Sequence, residues 1–371
     1  MTSDTSSIQL PFEVLGEIFG HLISGEYGTL ELFAVLLVSR SWNTATMQHP
    51  RLWTGIKLDM WFYAYFYERG ALVAASFVRS CLERSAVLHF DLVLHFDHLS
   101  HDPKFVAYKR VEREVWTYRA AGQARHVLNV LSGYMPRCNS LEWHLGRPVE
   151  DVLSYFPTTL DQLKFLSVDR CDAYMGCPGT ISCPALEYVS YTNRPYHFVL
   201  SERVKVLELR KTFCWVDADL APISDWSGSV RILKLYCAAR GSNPAQFRRL
   251  NEEPNGLIVL ANLEILEIEG LVPRGLLVIL RAPTLRHLCI RSDEAYGVHS
   301  MAEVVSTLVH KSARTLLVEL NNRAAIGWEP IYNNLVVDMP NLEDANVVVK
   351  EDLKYIGSGI SPQDGYYYRA W

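Results

Sequence analysis

One phrase recurs along the last two thirds of this chain: a small residue or proline, a spacer, a leucine, a charged residue, then two apolar residues at alternate positions. It reads Pro184-Ala-Leu186-Glu187-Tyr-Val189-Ser-Tyr191, Ala261-Asn-Leu263-Glu264-Ile-Leu266-Glu-Ile268, Pro283-Thr-Leu285-Arg286-His-Leu288-Cys-Ile290 and, more weakly, Pro340-Asn-Leu342-Glu343-Asp-Ala345-Asn-Val347. Shorter copies start at Leu141, Leu163, Val204, Val230 and Thr315. The nine starting positions are 22, 23, 18, 26, 33, 22, 30 and 27 residues apart. Such spacing brackets the roughly 20–29-residue period of stacked strand-containing repeats, in which one unit cannot bury its own faces and neighbours supply the core. An apolar stretch of helical spacing, Met301–Val309, lies between copies, and another, Ala124–Leu131, precedes the first. The economical expectation is therefore a strand followed by a helix in each unit.

Alternation within a strand sends Leu-x-Leu to the core and the intervening residues to the opposite face. That outward row comprises Tyr188, Ser190, Glu208, Arg210, Lys234, Tyr236, Glu267, Glu269, His287, Arg291, Glu319 and Asn321. Mixed charges with tyrosines suit a protein partner better than a phosphate backbone. Tyr188, Glu208, Arg210, Lys234, Tyr236, Glu267, Glu269, His287 and Arg291 are the candidate contacts to a target protein, against the plainer reading of solvated outward residues.

The N-terminus is built differently. Pro11 stands in the first turn of a helix, where its missing N–H would be unpaired anyway. Phe12, Val14, Leu15, Ile18, Phe19, Leu22 and Ile23 then cover about half the circumference, whereas one core needs a stripe of about 100°. Gly16 and Gly20 weaken that helix. A second apolar run, Leu30–Val38, leads through Ser39-Arg40-Ser41 to Trp42, Ala45 and Met47; Pro50 ends it, and Leu52 and Trp53 follow. More apolar surface than one core can use points to packing on two sides, the alternative being the core of an ordinary helical bundle.

Leu10-Pro11-x-Glu13-Val14-Leu15-x-x-Ile18-Phe19-x-x-Leu22, the leucine-rich second helix, Val38-Ser39-Arg40-x-Trp42 and Pro50-x-Leu52-Trp53 together resemble an F-box, in the form common in large fungal families. The loop Ser24–Gly28 is longer than in compact members, and Ser39 stands where many carry cysteine. The resemblance implies binding to the Skp adaptor of cullin–RING ubiquitin ligases by helices laid into an apolar groove. Leu10, Pro11, Val14, Leu15, Ile18, Phe19, Leu22, Leu36, Val38 and Trp42 would carry that contact, some of them serving as the unit's own core. Pro50, Leu52 and Trp53 would join it to the repeats. The second part is similar to the irregular leucine-rich repeats found behind F-boxes.

Composition agrees with a globular chain: 371 residues, 49% hydrophobic, 21% charged, formal charge −5. No basic stripe argues for nucleic acid. The first residues have neither basic nor apolar signal-peptide regions, and the longest apolar runs are too short for a bilayer. Eight scattered cysteines read as reduced thiols of the cytosol or nucleus. His89, His95, His98 and His101 beside Asp91, Asp97 and Asp102 form the strongest metal candidate, but alternation with Leu88, Phe90, Leu92 and Leu94 explains His89, Asp91, His95 and Asp97 as a strand's polar face, and no known ligand spacing is present. Cys171, Cys177 and Cys183 lack zinc-site spacing. No phosphate-loop, dinucleotide or nucleophile-elbow motif occurs. The charged helix 104–125 reads as a solvated face, and the tail Gly357–Trp371 as a cap for the last repeat.

The expected fold is thus α/β: a small N-terminal α-helical F-box (8–58, after a disordered 1–7), a linker or capping region (59–86), an irregular leucine-rich-repeat solenoid of parallel strands and helices (87–356), and the tail. The expected function is a non-enzymatic substrate receptor, without cofactor, metal, membrane or small-molecule substrate. A repeat scaffold without ligase assembly is the alternative, and an enzyme built around His89–Asp102 a distant third.

Overall fold

The computed structural model describes residues 10–23, 28–59, 70–95, 125–144, 155–169, 181–192, 198–211, 221–237, 258–270, 280–292, 313–321 and 341–350. Three helices open the chain: α1 (Phe12–Leu22), α2 (Gly28–Val38) and α3 (Arg40–Gln48). Ser39 breaks α2 from α3 because its backbone is extended, and its hydroxyl accepts the Trp42 N–H at 3.1 Å, an N-cap worth about 1 kcal/mol. A 3-10 turn (Pro50–Trp53) follows.

The described segments after it are organised by one eleven-stranded, wholly parallel sheet in sequential order. Its strands are β1 (Gly55–Asp59), β2 (Phe90–His95), β3 (Cys138–His144), β4 (Phe165–Asp169), β6 (Tyr188–Thr192), β8 (Val206–Lys211), β9 (Ile232–Cys237), β11 (Ile265–Gly270), β13 (His287–Ser292), β14 (Thr315–Asn321) and β15 (Asp344–Lys350). Short strands β5 (Ile181–Cys183) with β7 (Phe198–Leu200), and β10 (Ile258–Val259) with β12 (Leu280–Arg281), form two small parallel pairs. The result is the mixed α/β, solenoid-like fold that the recurring phrase implied.

Register explains the phrase. Ile56, Leu92, Leu141, Leu166, Val189, Leu207, Leu233, Leu266, Leu288 and Leu316 make one lateral row, and all are buried. A second buried row, two residues on, runs Leu58, Leu94, Trp143, Val168, Tyr191, Leu209, Leu235, Ile268, Ile290 and Val318. Each full burial contributes about 1.5–3 kcal/mol before chain entropy is set against it. The charged residue of the phrase also has a place. Lys164, Glu187, Lys205, Arg231, Glu264, Arg286, Arg314 and Glu343 are linked in turn, each N–H donating to its predecessor's carbonyl. Their side chains form a rim, with Lys205–Glu187 at 3.0 Å and Arg231–Glu264 at 2.6 Å. These hydrogen-bonded cations hold the Glu187 and Glu264 carboxyls below the usual carboxylate range.

The structure departs from the sequence reading in three ways. First, the elements described ahead of the sheet strands are not all helices. A helix over 125–132 precedes β3 and Ala221–Asp225 precedes β9, but the described segments ahead of β6, β8, β11 and β13 are the short strands β5, β7, β10 and β12. β5 leads into β6 through the turn at Pro184-Ala185. Second, the copies at Leu141 and Thr315 are out of register. Cys138 and Ala313 occupy the buried position filled by Leu163, Leu186 and Leu263, so a smaller residue hid the true start. Third, the boundary at 58/59 cuts through a strand. β1 pairs with β2, and the expected linker contains the helix Gly70–Arg84, whose Ala74, Phe77, Val78, Cys81 and Leu82 are buried in the common core.

That helix ends with Ala86 in the left-handed region at φ 52°. A Cβ there costs roughly 1 kcal/mol that glycine avoids. Ala86→Gly is expected to raise the unfolding free energy by about 1 kcal/mol, read from the urea midpoint at unchanged slope. Arg137 braces the same corner: Nε donates to the Leu88 carbonyl at 3.1 Å, and a terminal nitrogen donates to Ser85 Oγ at 2.7 Å.

On the second buried row, Tyr191 stacks on Trp226 (6.4 Å, 9°), yet its buried hydroxyl has no hydrogen-bond partner among the described residues. An unpaired buried hydroxyl costs about 1–3 kcal/mol. Tyr191→Phe keeps the ring and is expected to be neutral or up to about 1 kcal/mol stabilising in the same denaturation measurement. Burial likewise pushes the Cys81 and Cys183 thiols up to about 12, so both are poor nucleophiles.

Candidate protein-interaction site

Two surfaces stand out, and they lie on different elements. The first is on α1–α3. Leu15 and Phe19, one turn apart, are buried, and the Phe19 ring sits 4.8 Å from that of Trp42. With Leu32, Val35 and Ala45 they belong to the common core. Gly16 lets α1 approach the loop after α3. A Cβ at Gly16 would stand 2.6 Å from the His49 ring, which is held by a 2.6 Å hydrogen bond between Nε2 and the Phe12 carbonyl.

The other side of α1 has no such cover. Val14, Ile18 and Leu22 share one face at four-residue spacing, and all three are exposed, Ile18 by 38% and Leu22 by 51%. Leu10, Pro11 and Phe12 extend this apolar surface at the N-terminal end. Leu37 and Val38, closing α2, are exposed as well, Leu37 by 85%. Leu36 and Trp42 are half-buried against the core. The ten residues expected to meet a partner therefore divide. Leu15 and Phe19 are internal and cannot touch one, because both faces of a helix that packs on a core at 100° intervals cannot be exposed at once. Leu10, Pro11, Val14, Ile18, Leu22 and Val38 face solvent. Leu37, the most exposed residue of this surface, was not among the ten, because a uniformly apolar helix has no periodicity to mark its free side.

Leu52 and Trp53 close this unit from below. Trp53 is buried, its indole N–H donates to the Thr46 carbonyl at 3.0 Å, and the Arg84 guanidinium lies 4.3 Å over its ring. Because Asp91 N–H donates to the Thr54 carbonyl at 2.8 Å, Trp53 takes the first place in the buried row continued by Phe90, Cys138 and Leu163.

The second surface is the outward face of the sheet. Register places Tyr188, Ser190, Glu208, Arg210, Lys234, Tyr236, Glu267, Glu269, His287, Arg291 and Glu319 on it. They are largely tied to one another. Tyr188 Oη donates to Glu208, and Arg210 Nε donates to the same carboxylate at 2.5 Å. Glu267 lies 3.5 Å from Lys234 and 3.2 Å from Arg291, which also donates to Glu319 at 2.7 Å. His287 Nδ1 and Thr315 Oγ1 are 2.7 Å apart. Charges ordered in advance lose little side-chain entropy on binding. The pairs also explain why Glu208 is buried rather than solvated.

The metal candidate fares as alternation suggests: Phe90, Leu92 and Leu94 are buried and His89 and Asp91 exposed, Asp91 accepting from Asn139 at 3.3 Å. Asp97, His98, His101, Asp102, Cys171, Cys177, the Met301–Val309 segment and the tail lie outside the described residues, and so does nearly all of the charged segment 104–125 expected as a helix. Among the described residues no helix is long and apolar enough to cross a membrane.

A helical unit with an uncovered apolar stripe, fused to a parallel-strand sheet with a polar outer face, defines a protein-interaction module. Residues 8–59 match the F-box-like family model, which supports an F-box protein. No curated protein matches the chain. F-box domains generally bind the Skp adaptor and suggest an adaptor role in ubiquitin ligation, typically without catalysis of their own.

Proposed function

We propose that this chain is the substrate-receptor subunit of an SCF-type cullin–RING ubiquitin ligase, an F-box protein of the fungal type with irregular leucine-rich repeats, acting in the cytosol or nucleus. The observation that carries the reading is the apolar stripe Val14–Ile18–Leu22, left in water on a unit whose core is already complete with Leu15 and Phe19. A stripe of this kind on a monomer marks a partner surface, and residues 8–59 are the segment that matches the F-box-like model. Leu10, Pro11, Val14, Ile18, Leu22, Leu37 and Val38 bind the adaptor, and the outward sheet face binds the target. The chain performs no bond chemistry; it holds the target near the ubiquitin-charged subunits, a proximity effect.

Co-expression with a Skp adaptor, affinity capture and size-exclusion chromatography test this. Stoichiometric co-elution supports the receptor reading. A folded monomer that ignores the adaptor replaces it with a repeat scaffold whose helices only cap the sheet.

A further inference from the structure

The row of the outward face nearest the charged rim is apolar. Register aligns Phe165, Tyr188, Val206, Ile232 and Ile265, on β4, β6, β8, β9 and β11, as direct neighbours. All five are half-buried, so each keeps part of its surface in water, whereas the two core rows on the other face are buried. The Phe165 and Tyr188 rings stack 4.3 Å apart at 14° and form a flat start to the row. Four strand spacings make the stripe roughly 19 Å long. Single apolar residues on a surface are ordinary, but five side by side in successive strands form a contiguous patch of the kind that partners use.

The two sides of the stripe differ in charge. From β4 to β13 the rim carries Lys164, Lys205, Arg231 and Arg286 against Glu187 and Glu264, a surplus of two positive charges. Pairing within the rim does not cancel that surplus, and all four cations are exposed. On the far side, the row Ser167, Ser190, Glu208, Lys234, Glu267 and Cys289 carries a surplus of one negative charge. A partner segment therefore gains most with carboxylates on its rim side.

Spacing selects the kind of segment. Neighbouring strands are about 4.8 Å apart, close to the roughly 5.4 Å rise of one helical turn. Apolar residues one turn apart on a helix laid along the stripe thus stay near successive strands. An extended chain puts same-side residues about 6.8 Å apart and falls out of step within two strands.

We propose that this stripe docks an amphipathic helix of the target protein, its apolar face on the five residues and an acidic flank toward the rim. About 13 helical residues span the stripe. The proposal rests on the outward sheet face being the target-binding surface.

The test titrates a blocked, dye-labelled peptide of about four helical turns into the full chain and follows anisotropy. The peptide has leucines along one face and glutamates along one flank of it. Comparison peptides replace the glutamates with lysines, or place a proline at the centre, which breaks the helix. Saturable binding of the glutamate peptide is expected, at least about tenfold weaker for the lysine and proline peptides. Val206→Thr with Ile232→Thr keeps the branched shape that strands favour and removes apolar surface. It is expected to weaken binding at least about tenfold at an unchanged thermal midpoint.

No saturation at millimolar peptide, equal binding of either comparison peptide, or unaltered binding by the folded double variant overturns the proposal. So does sedimentation of the free chain as a dimer that the double variant makes monomeric, because the stripe then belongs to a second copy. A photo-reactive benzoyl-phenylalanine in place of one leucine separates the proposal from the reading it rests on. Cross-links to Val206, Ile232 or Ile265 support both. Cross-links confined to Tyr236, Glu269 or Glu319 overturn the stripe and leave the face standing. Cross-links only outside the sheet face, as on α1–α3, overturn both.

Discussion

Val14→Asp with Ile18→Asp is expected to abolish capture of a Skp adaptor, weakening it by at least about 100-fold, while the thermal midpoint stays within a degree or two of the parent. Both side chains are exposed by more than a third, so charging them disturbs little packing; surface substitutions usually change stability by less than about 0.5 kcal/mol. In an adaptor complex the same positions would be dry, and two unpaired carboxylates at the centre of an apolar interface cost several kcal/mol. Leu15→Asp is the informative contrast. Leu15 is buried beside Phe19, so a charge there unfolds the unit, and lost capture would say nothing about a partner face. Equal capture by parent and double variant, both folded, removes α1 from the interface.

The second large effect concerns the joint. Trp53→Ala is expected to destabilise the whole described fold by about 3–5 kcal/mol, and one cooperative transition is expected before and after. Trp53 is a ring in the core of the helical unit, a hydrogen-bond donor to Thr46, a platform for Arg84, and the first member of the sheet's buried row. Ile56 and Leu58 of β1 carry that core into the sheet. A urea titration followed separately by tryptophan fluorescence and circular dichroism checks it. Two separated transitions in the parent would show that the helices and the sheet fold independently. The same argument makes deletion of residues 1–59 a poor discriminator between ligase receptor and scaffold. It strips β1 from the sheet and exposes the β2 edge whatever the helices bind.

Three departures show where sequence reasoning stops. The nine copies of the phrase were legible because Leu-x-x-Leu-x-Leu repeats at positions that must be dry in every unit. β1 was not legible as a strand: Gly-Ile-Lys-Leu-Asp alternates over only five residues, and its neighbour lies more than thirty residues away. The starts at Cys138 and Ala313 were missed because a small residue fills the same buried position as leucine when its surroundings close in. The short strands before β6, β8, β11 and β13 were not legible, because runs of two or three residues are too brief to show a periodicity.

The outward row of the sheet and the apolar excess of α1 were determined by the sequence alone. Alternation assigns faces at period two and helical spacing at 3.6, whatever the chain packs against. Only the tertiary structure decided which half of α1 is spent on the core, that Trp53 opens the sheet's buried row, and that Phe165, Tyr188, Val206, Ile232 and Ile265 stand side by side. Those facts depend on lateral register between strands separated by about twenty or more residues. Register is set by the packing of all the buried rows together, and no local pattern carries it.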